Sequence, residues 1–410
     1  MNKTILFLII ILFILLSSDW INENIIYLFP TGSRHIILLG TFISLYILNK
    51  REENLQISKN SIFLFLILSF IILLSYNIEP PFISIILSFF SIFLFFIIFI
   101  LGLNIKISVY SFYGLVKSII IILFLLSLQP LCQALINGEV LRYNFGLFRE
   151  VGAYGSFMNI AAIFCLLIYK QTAKKVYFFL ALFFSGIVMF TILKKVIISN
   201  LFVWIIFLFY FSTISKLKKY LLLSLIFIFV LFLLSTSSMN ENISQNARYL
   251  QENGAEGHVR LAMYLKSYNI AIENFPFGSG LATFGSLGSI FGHYSPLYYQ
   301  DGIYLLGHNS ESDVLNGHHT LLDTFWPHII AELGFFGLIV YIFLYITPIT
   351  FLLKYRRLDN GKFHNIYFLN LCLIICSIWE GFTLYTPEIP VFIFINFGIT
   401  SIAISAFRNH

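Results

Sequence analysis

Three short stretches of this sequence place fixed cations between long apolar runs. Arg142 and Arg149 flank the loop Arg-Tyr-Asn-Phe-Gly-Leu-Phe-Arg-Glu150. Lys194 and Lys195 sit in a tight hairpin, Phe-Thr-Ile-Leu-Lys-Lys-Val-Ile-Ile-Ser, and Arg260 opens a helical stretch. Guanidinium forks and ammonium groups match phosphate oxygens, so the five together read as a holder for a phosphate or pyrophosphate at headgroup level. Taken singly, each is read equally well as a lipid-headgroup anchor. The run His318-His319-Thr-Leu-Leu-Asp323 offers an imidazole that can take a proton from a hydroxyl, with Asp323 placed to orient His319 if the segment is helical. Glu332 stands just inside an apolar run, where an acid is costly and is a functional candidate by default. Gly278 and Gly280, in Phe-Pro-Phe-Gly-Ser-Gly, permit a sharp turn or a close backbone approach, a weak phosphate signal by itself. His308, Glu311 and Asp313 crowd together as flexible surface loops often do. Cys372 and Cys376 share a helix face without a second ligand pair, so they read as packing. No metal and no cofactor is expected.

The elements that must position these groups follow from composition. Of 410 residues, 59% are hydrophobic, 18% aromatic and only 11% charged, with a mean hydropathy of +0.89. A soluble domain carries about 25% charged residues, so lipid must be most of this chain's solvent, and soluble or disordered classes are excluded. Twelve apolar runs, near 4–18, 35–49, 60–76, 81–103, 108–130, 152–169, 176–192, 196–213, 220–236, 328–352, 365–382 and 389–407, approach or exceed the length a bilayer needs. With both termini cytoplasmic, sixteen of the 25 Lys and Arg residues fall on inner segments, eight fall on outer segments, and Lys117 sits inside a span. Of the 19 acids only Glu52, Glu53 and Asp359 lie inside. The expected architecture is an all-α polytopic membrane protein. Residues 1–236 carry nine spans, residues 237–327 form one large extracytoplasmic loop, and residues 328–410 carry three more. Within the loop, Leu261, Tyr264, Leu265, Tyr268 and Ile272 recur at helical spacing and predict an amphipathic helix that Pro276 stops.

Several of these pieces, in order, resemble the O-antigen polymerase and O-antigen ligase superfamily of bacterial inner-membrane proteins. Phe145-Gly-Leu-Phe-Arg-Glu150 with Tyr154-Gly155 resembles a Gly-x-Phe-x-Glu segment ahead of a span. Thr191-Ile-Leu-Lys194-Lys195 resembles an outer hairpin that usually holds Ser-Arg. Arg260 and Phe275-Pro276-Phe277-Gly278-Ser279-Gly280 resemble the Arg and Pro-x-x-Gly-x-Gly of the large loop. His319-Thr-Leu-Leu-Asp323 and Glu332-Leu-Gly334-Phe-Phe-Gly337 resemble its closing His and Glu-x-Gly-x-x-Gly. The motifs cover roughly 140–345. The gap from His319 to Glu332 is a few residues longer than the pattern.

The resemblance implies a GT-C-like helical fold and metal-independent glycosyl transfer at the outer face of the cytoplasmic membrane. Undecaprenyl-pyrophosphate-linked oligosaccharides would be the substrates, membrane lipids the surroundings, and a chain-length regulator a partner. No nucleic-acid partner is expected. It implies catalytic roles for His319, Arg260, Glu332 and His318. Substrate contacts would fall to Lys194, Lys195, Arg142, Arg149, Glu150, Gly278, Gly280 and Asp323. A polymerase of repeat units is the favoured branch. A ligase of the same superfamily shares the motifs. A lipid-linked oligosaccharide flippase is the rival from another class, and it should carry polar groups deep in its spans.

Overall fold

In the computed structural model the chain is described at residues 3–24, 33–48, 59–75, 79–137, 151–191, 193–211, 259–290, 295–300, 324–358, 363–383 and 386–408. Among the described residues all regular structure is helical. Lipid offers no partner for a free backbone N–H or C=O, so each apolar run must satisfy its own backbone, and a helix does so within one segment.

The main helices are α1 (Lys3–Asn24), α2 (Ser33–Leu48), α3 (Lys59–Leu74), α4 (Phe82–Leu103), α5 (Val109–Asn137), α6 (Val151–Thr172), α7 (Lys175–Phe190), α8 (Lys194–Phe211), α9 (Val259–Glu273), α10 (Trp326–Tyr345), α11 (Thr347–Leu358), α12 (His364–Glu380) and α13 (Pro390–Phe407). Among the described residues, α4, α5, α6, α8, α10 and α13 are long and apolar enough to cross a membrane. Parts of α1, α2, α3, α7 and α12 are shorter apolar helices. Every apolar run of the sequence except 220–236 overlaps one of these helices, and that run lies outside the described residues.

One expected continuous run, 328–352, is two helices. α10 ends at Tyr345 with Ile346 as its cap, and α11 restarts at Thr347. Pro348 falls at the start of the new helix, where its missing N–H and fixed φ cost nothing.

The bundle has a clear inside. α6 and α13 are its central helices, with 89% and 94% of their apolar windows buried. Small residues allow this. A Cβ at Gly155 would meet Val196 Cγ1 at 3.1 Å, and one at Gly398 would meet Phe42 Cζ at 2.6 Å. Close backbone approach replaces the hydrophobic drive that lipid cannot supply. On the outside, Phe63, Leu66, Phe70 and Leu73 of α3, and Val176, Phe179 and Phe190 of α7, are exposed, as a lipid-facing surface requires.

Polar contacts gather at both ends of the bundle, with others, such as Asn370 to Thr400 and Trp204 to Ser185, between them. At one end Tyr113 donates to Gln171 Oε1, Lys170 Nζ donates to the Phe211 carbonyl while lying over the Phe207 and Phe211 rings, and Ser405 donates to the Ile105 carbonyl. At the other end stand the starts of α2, α4, α6, α8 and α10, the close of α12, and the turn that leads into α13. The candidate site is built there.

Candidate functional site

The turn after α12 is the meeting point. Its three successive carbonyls each accept a donor from a different segment. Phe325 N, at the entry to α10, donates to Gly381 O at 3.1 Å. Tyr264 Oη of α9 donates to Phe382 O at 3.0 Å. Lys195 Nζ of α8 donates to Thr383 O at 3.1 Å. The last carbonyls of a helix have no intrahelical partner and carry the negative end of its dipole, so donors and cations collect there. Trp379 Nε1 returns a bond to Lys195 O at 3.0 Å, and Trp326 Nε1 donates to Ile378 O at 3.1 Å. Burial pushes the Tyr264 phenol above its ordinary range, so it stays a donor.

Two of the three cation-bearing stretches therefore arrive at one turn. Lys195 is there directly, and Lys194, its neighbour, is exposed. Of the hairpin pair it is Lys195 that is engaged. Arg260 lies one helical turn before Tyr264 on α9, so the two share a face. The third stretch, with Arg142, Arg149 and Glu150, lies outside the described residues, as do His318, His319 and Asp323.

α9 is a helix where the spacing predicts one, but it buries another face: Met263, Ser267, Ile270 and Ala271 are buried, whereas Leu265, Tyr268 and Ile272 of the expected apolar stripe are exposed. It packs along α10, so its buried face is given to protein. It ends at Glu273, ahead of Pro276.

The turn that follows is a backbone clamp. Gly278 N donates to Asn274 O at 3.0 Å, Ser279 N to Ala331 O at 2.9 Å and Gly280 N to Glu332 O at 3.1 Å. The amides of Gly278 and Gly280 are thus committed to the chain's own carbonyls, and the weak phosphate signal of that sequence has a structural origin. The clamp fits because α10 is interrupted at Gly334, with φ 65° and ψ −175°. A Cβ there would meet Pro276 O at 2.5 Å, Gly278 N at 2.6 Å and Phe277 C at 2.8 Å.

Glu332 sits inside this interruption and is fully buried. Its Oε1 accepts from Phe284 N at 3.0 Å and Ser286 Oγ at 2.6 Å, and Ser286 Oγ also meets Ser88 Oγ of α4 at 2.9 Å. Residues 281–289 are all buried. Gly288 packs directly on Ser84 and Ser88, and Gly285 sits against His328. Glu332 therefore organises a segment of chain driven into the bundle between α4 and α10.

Two further buried acids complete this end. His328 Nδ1 lies 2.6 Å from Phe325 O, and since a carbonyl only accepts, Nδ1 carries the hydrogen. Nε2 faces Glu388 Oε1 at 3.2 Å, so a proton must lie between them. Ser91 Oγ donates to Glu388 Oε2, and the Glu388 carbonyl accepts from His35 Nε2 at 3.2 Å. Glu380, the last residue of α12, accepts from Ser156 Oγ at 2.6 Å and Ser199 Oγ at 2.9 Å. Lys195 lies within electrostatic reach of it.

Sequence reasoning singled out Glu332 and passed over Glu380 and Glu388. The signal was the same for all three, an acid at the rim of an apolar run. Among the described residues no group of three or more His, Cys, Asp or Glu side chains is arranged to hold a metal ion. No family model matches this sequence, and no curated protein matches it either.

Proposed function

We propose that the chain is a membrane glycosyltransferase. It would join lipid-pyrophosphate-linked oligosaccharide repeat units at the outer face of the bacterial cytoplasmic membrane, with twelve spans and both termini in the cytoplasm. The observation that carries this reading is the turn at 381–383, where Lys195, and α9 with Arg260 one turn from Tyr264, come to one place. Glycosyl transfer from a pyrophosphate donor breaks the bond between the anomeric carbon and a phosphate oxygen. Negative charge then develops on that oxygen, and fixed cations in a water-poor site stabilise it as it forms. The acceptor hydroxyl makes the new glycosidic bond and gives up its proton. His319 is proposed as the base, a role that contributes about 10² to 10⁴-fold. The order of the sequence motifs supports the same reaction class, and a polymerase over a ligase is the branch those motifs favour.

The test is a glycan gel. Arg260→Ala and Lys195→Ala are expected to abolish long-chain glycan at normal protein level and leave a single repeat unit. Full-length ladders from both variants would remove these residues from the site and the reading with them.

A permease for the same lipid-linked substrates is the second reading. The buried Glu332, Glu380, Glu388 and His328 favour it, because such groups in spans mark transport paths. They sit at one end of the bundle, where surface chemistry also needs them. Movement of substrate across vesicle membranes without bond formation would decide for transport.

A further inference from the structure

Beneath the turn at 381–383, between α6, α12 and α13, is a cavity about the size of one water molecule. Five of its lining side chains bring oxygens: Ser156, Asn159, Ser377, Glu380 and Asn396. All five are buried.

The hydrogen bonds around it have a fixed direction. Asn200 Nδ2 donates to Asn159 Oδ1 at 2.9 Å, and Asn159 Nδ2 donates to Ser199 Oγ at 2.9 Å. Ser199 Oγ, having accepted, donates to Glu380 Oε1, while Ser156 donates to Oε2. Every donor in the chain points toward Glu380, and both of its oxygens accept. Hydrogen bonds accepted by both oxygens favour the charged carboxylate and offset part of the cost of burying it.

Two features of the backbone add to that negative charge and to the shape of the site. Glu380 is the last residue of α12, where the helix dipole favours a cation. Asn396 lies in a π-helical segment, Phe394–Ile399, in the middle of α13. Single π-turns of this kind recur at functional sites, because they re-aim one side chain out of helical register. Here that side chain lines the cavity.

Lys195 lies within electrostatic reach of Glu380, and its Nζ donates to the Thr383 carbonyl, three residues further on. We propose that the cavity is a monovalent-cation site, sized for Na⁺, formed by the Glu380 carboxylate with hydroxyl oxygens of Ser156 and Ser377 and the amide oxygen of Asn396, while Asn159, whose oxygen accepts from Asn200, serves the carboxylate side of the site through its NH2 group. These oxygens are hard donors, which suit an alkali cation. The confined volume has no room for the waters that a Mg²⁺ ion keeps, and it disfavours a larger monovalent ion. The bound ion ties α6, α12 and α13 together under the turn that gathers Lys195 and α9. The inference is independent of the glycosyl-transfer reading.

The experiment uses the full chain, purified in mild detergent. Its unfolding midpoint is followed against NaCl, KCl and choline chloride at constant ionic strength. The site predicts a saturable rise with NaCl, a weaker one with KCl and none with choline chloride. Glu380→Gln, which keeps the shape and removes the charge, should abolish the Na⁺-specific rise. If that variant does not fold, Asn396→Ala, which leaves the carboxylate in place, should raise the half-saturating Na⁺ concentration by on the order of tenfold. Equal responses to NaCl and choline chloride overturn the proposal. So does a midpoint that follows pH but not Na⁺, which would mean that a proton or a water fills the cavity. An unchanged Na⁺ response in the variants also overturns it.

Discussion

Replacing Gly334 by alanine should be among the most damaging single-methyl changes in this molecule. Gly334 holds φ 65° and ψ −175°, a conformation almost restricted to glycine. Forcing alanine into it costs about 1–3 kcal/mol. The added Cβ also has nowhere to go. Its neighbours would be Pro276 O, Gly278 N and Phe277 C, all within 2.8 Å and all backbone. Relief requires the 276–280 turn to retreat, which strains the bonds from Ser279 N to Ala331 O and from Gly280 N to Glu332 O. Two hydrogen bonds at about 0.5–1.5 kcal/mol each add another 1–3 kcal/mol. The expected loss is about 2–6 kcal/mol by these terms, read as denaturant or thermal unfolding of the detergent-purified protein. Gly186→Ala on α7 is the control. A Cβ there meets nothing within 4 Å, and the helix should be unaffected or gain about 0.5–1 kcal/mol. If Gly334→Ala unfolds with the wild-type midpoint, the clamp between the 276–280 turn and α10 does not exist as described.

Three other outcomes follow from the same geometry. Lys195→Ala should cost long-chain glycan where Lys194→Ala does not, because only Lys195 reaches the Thr383 carbonyl. A gel with equal loss in both would set that distinction aside. Glu332→Ala leaves the buried Phe284 N–H without its acceptor and should destabilise by about 1–3 kcal/mol. Glu332→Gln retains an oxygen there and should lose less, so a larger loss from Gln than from Ala in an unfolding titration would contradict the assignment. His328→Leu strands Glu388 as a buried charge and should cost about 3–5 kcal/mol. Adding Glu388→Gln should recover part of that in a double-mutant cycle, and strict additivity would show that the pair does not share a proton.

The helices were legible in the sequence because lipid makes the rule simple: enough consecutive apolar residues and no charge. That rule finds α4, α6 and α13 without further information. It runs straight through Ile346, since hydropathy averaged over a window does not register that Pro348 starts a new helix. It also cannot see the clamp. Gly278 and Gly334 are 56 positions apart, and their contact is backbone on backbone, leaving only two glycines as a trace. Arg260, Lys195 and Glu332 were readable because each is a charged group set against apolar surroundings. The same reasoning applied to Ile-Trp-Glu380-Gly and Pro-Glu388-Ile finds the other two buried acids. What no local pattern gives is the partnership, that Ser156, Ser199 and Lys195 serve Glu380 while His328 serves Glu388, because that depends on which helix ends meet.

Reconstituted protein supplied with a polyprenyl-pyrophosphate-linked oligosaccharide puts the functional claim to its most direct test. The account predicts a lengthened glycan on the lipid carrier together with release of free polyprenyl pyrophosphate, and loss of both with Arg260→Ala. Substrate that crosses the bilayer with its length unchanged, or wild-type lengthening from the Arg260→Ala protein, would contradict it.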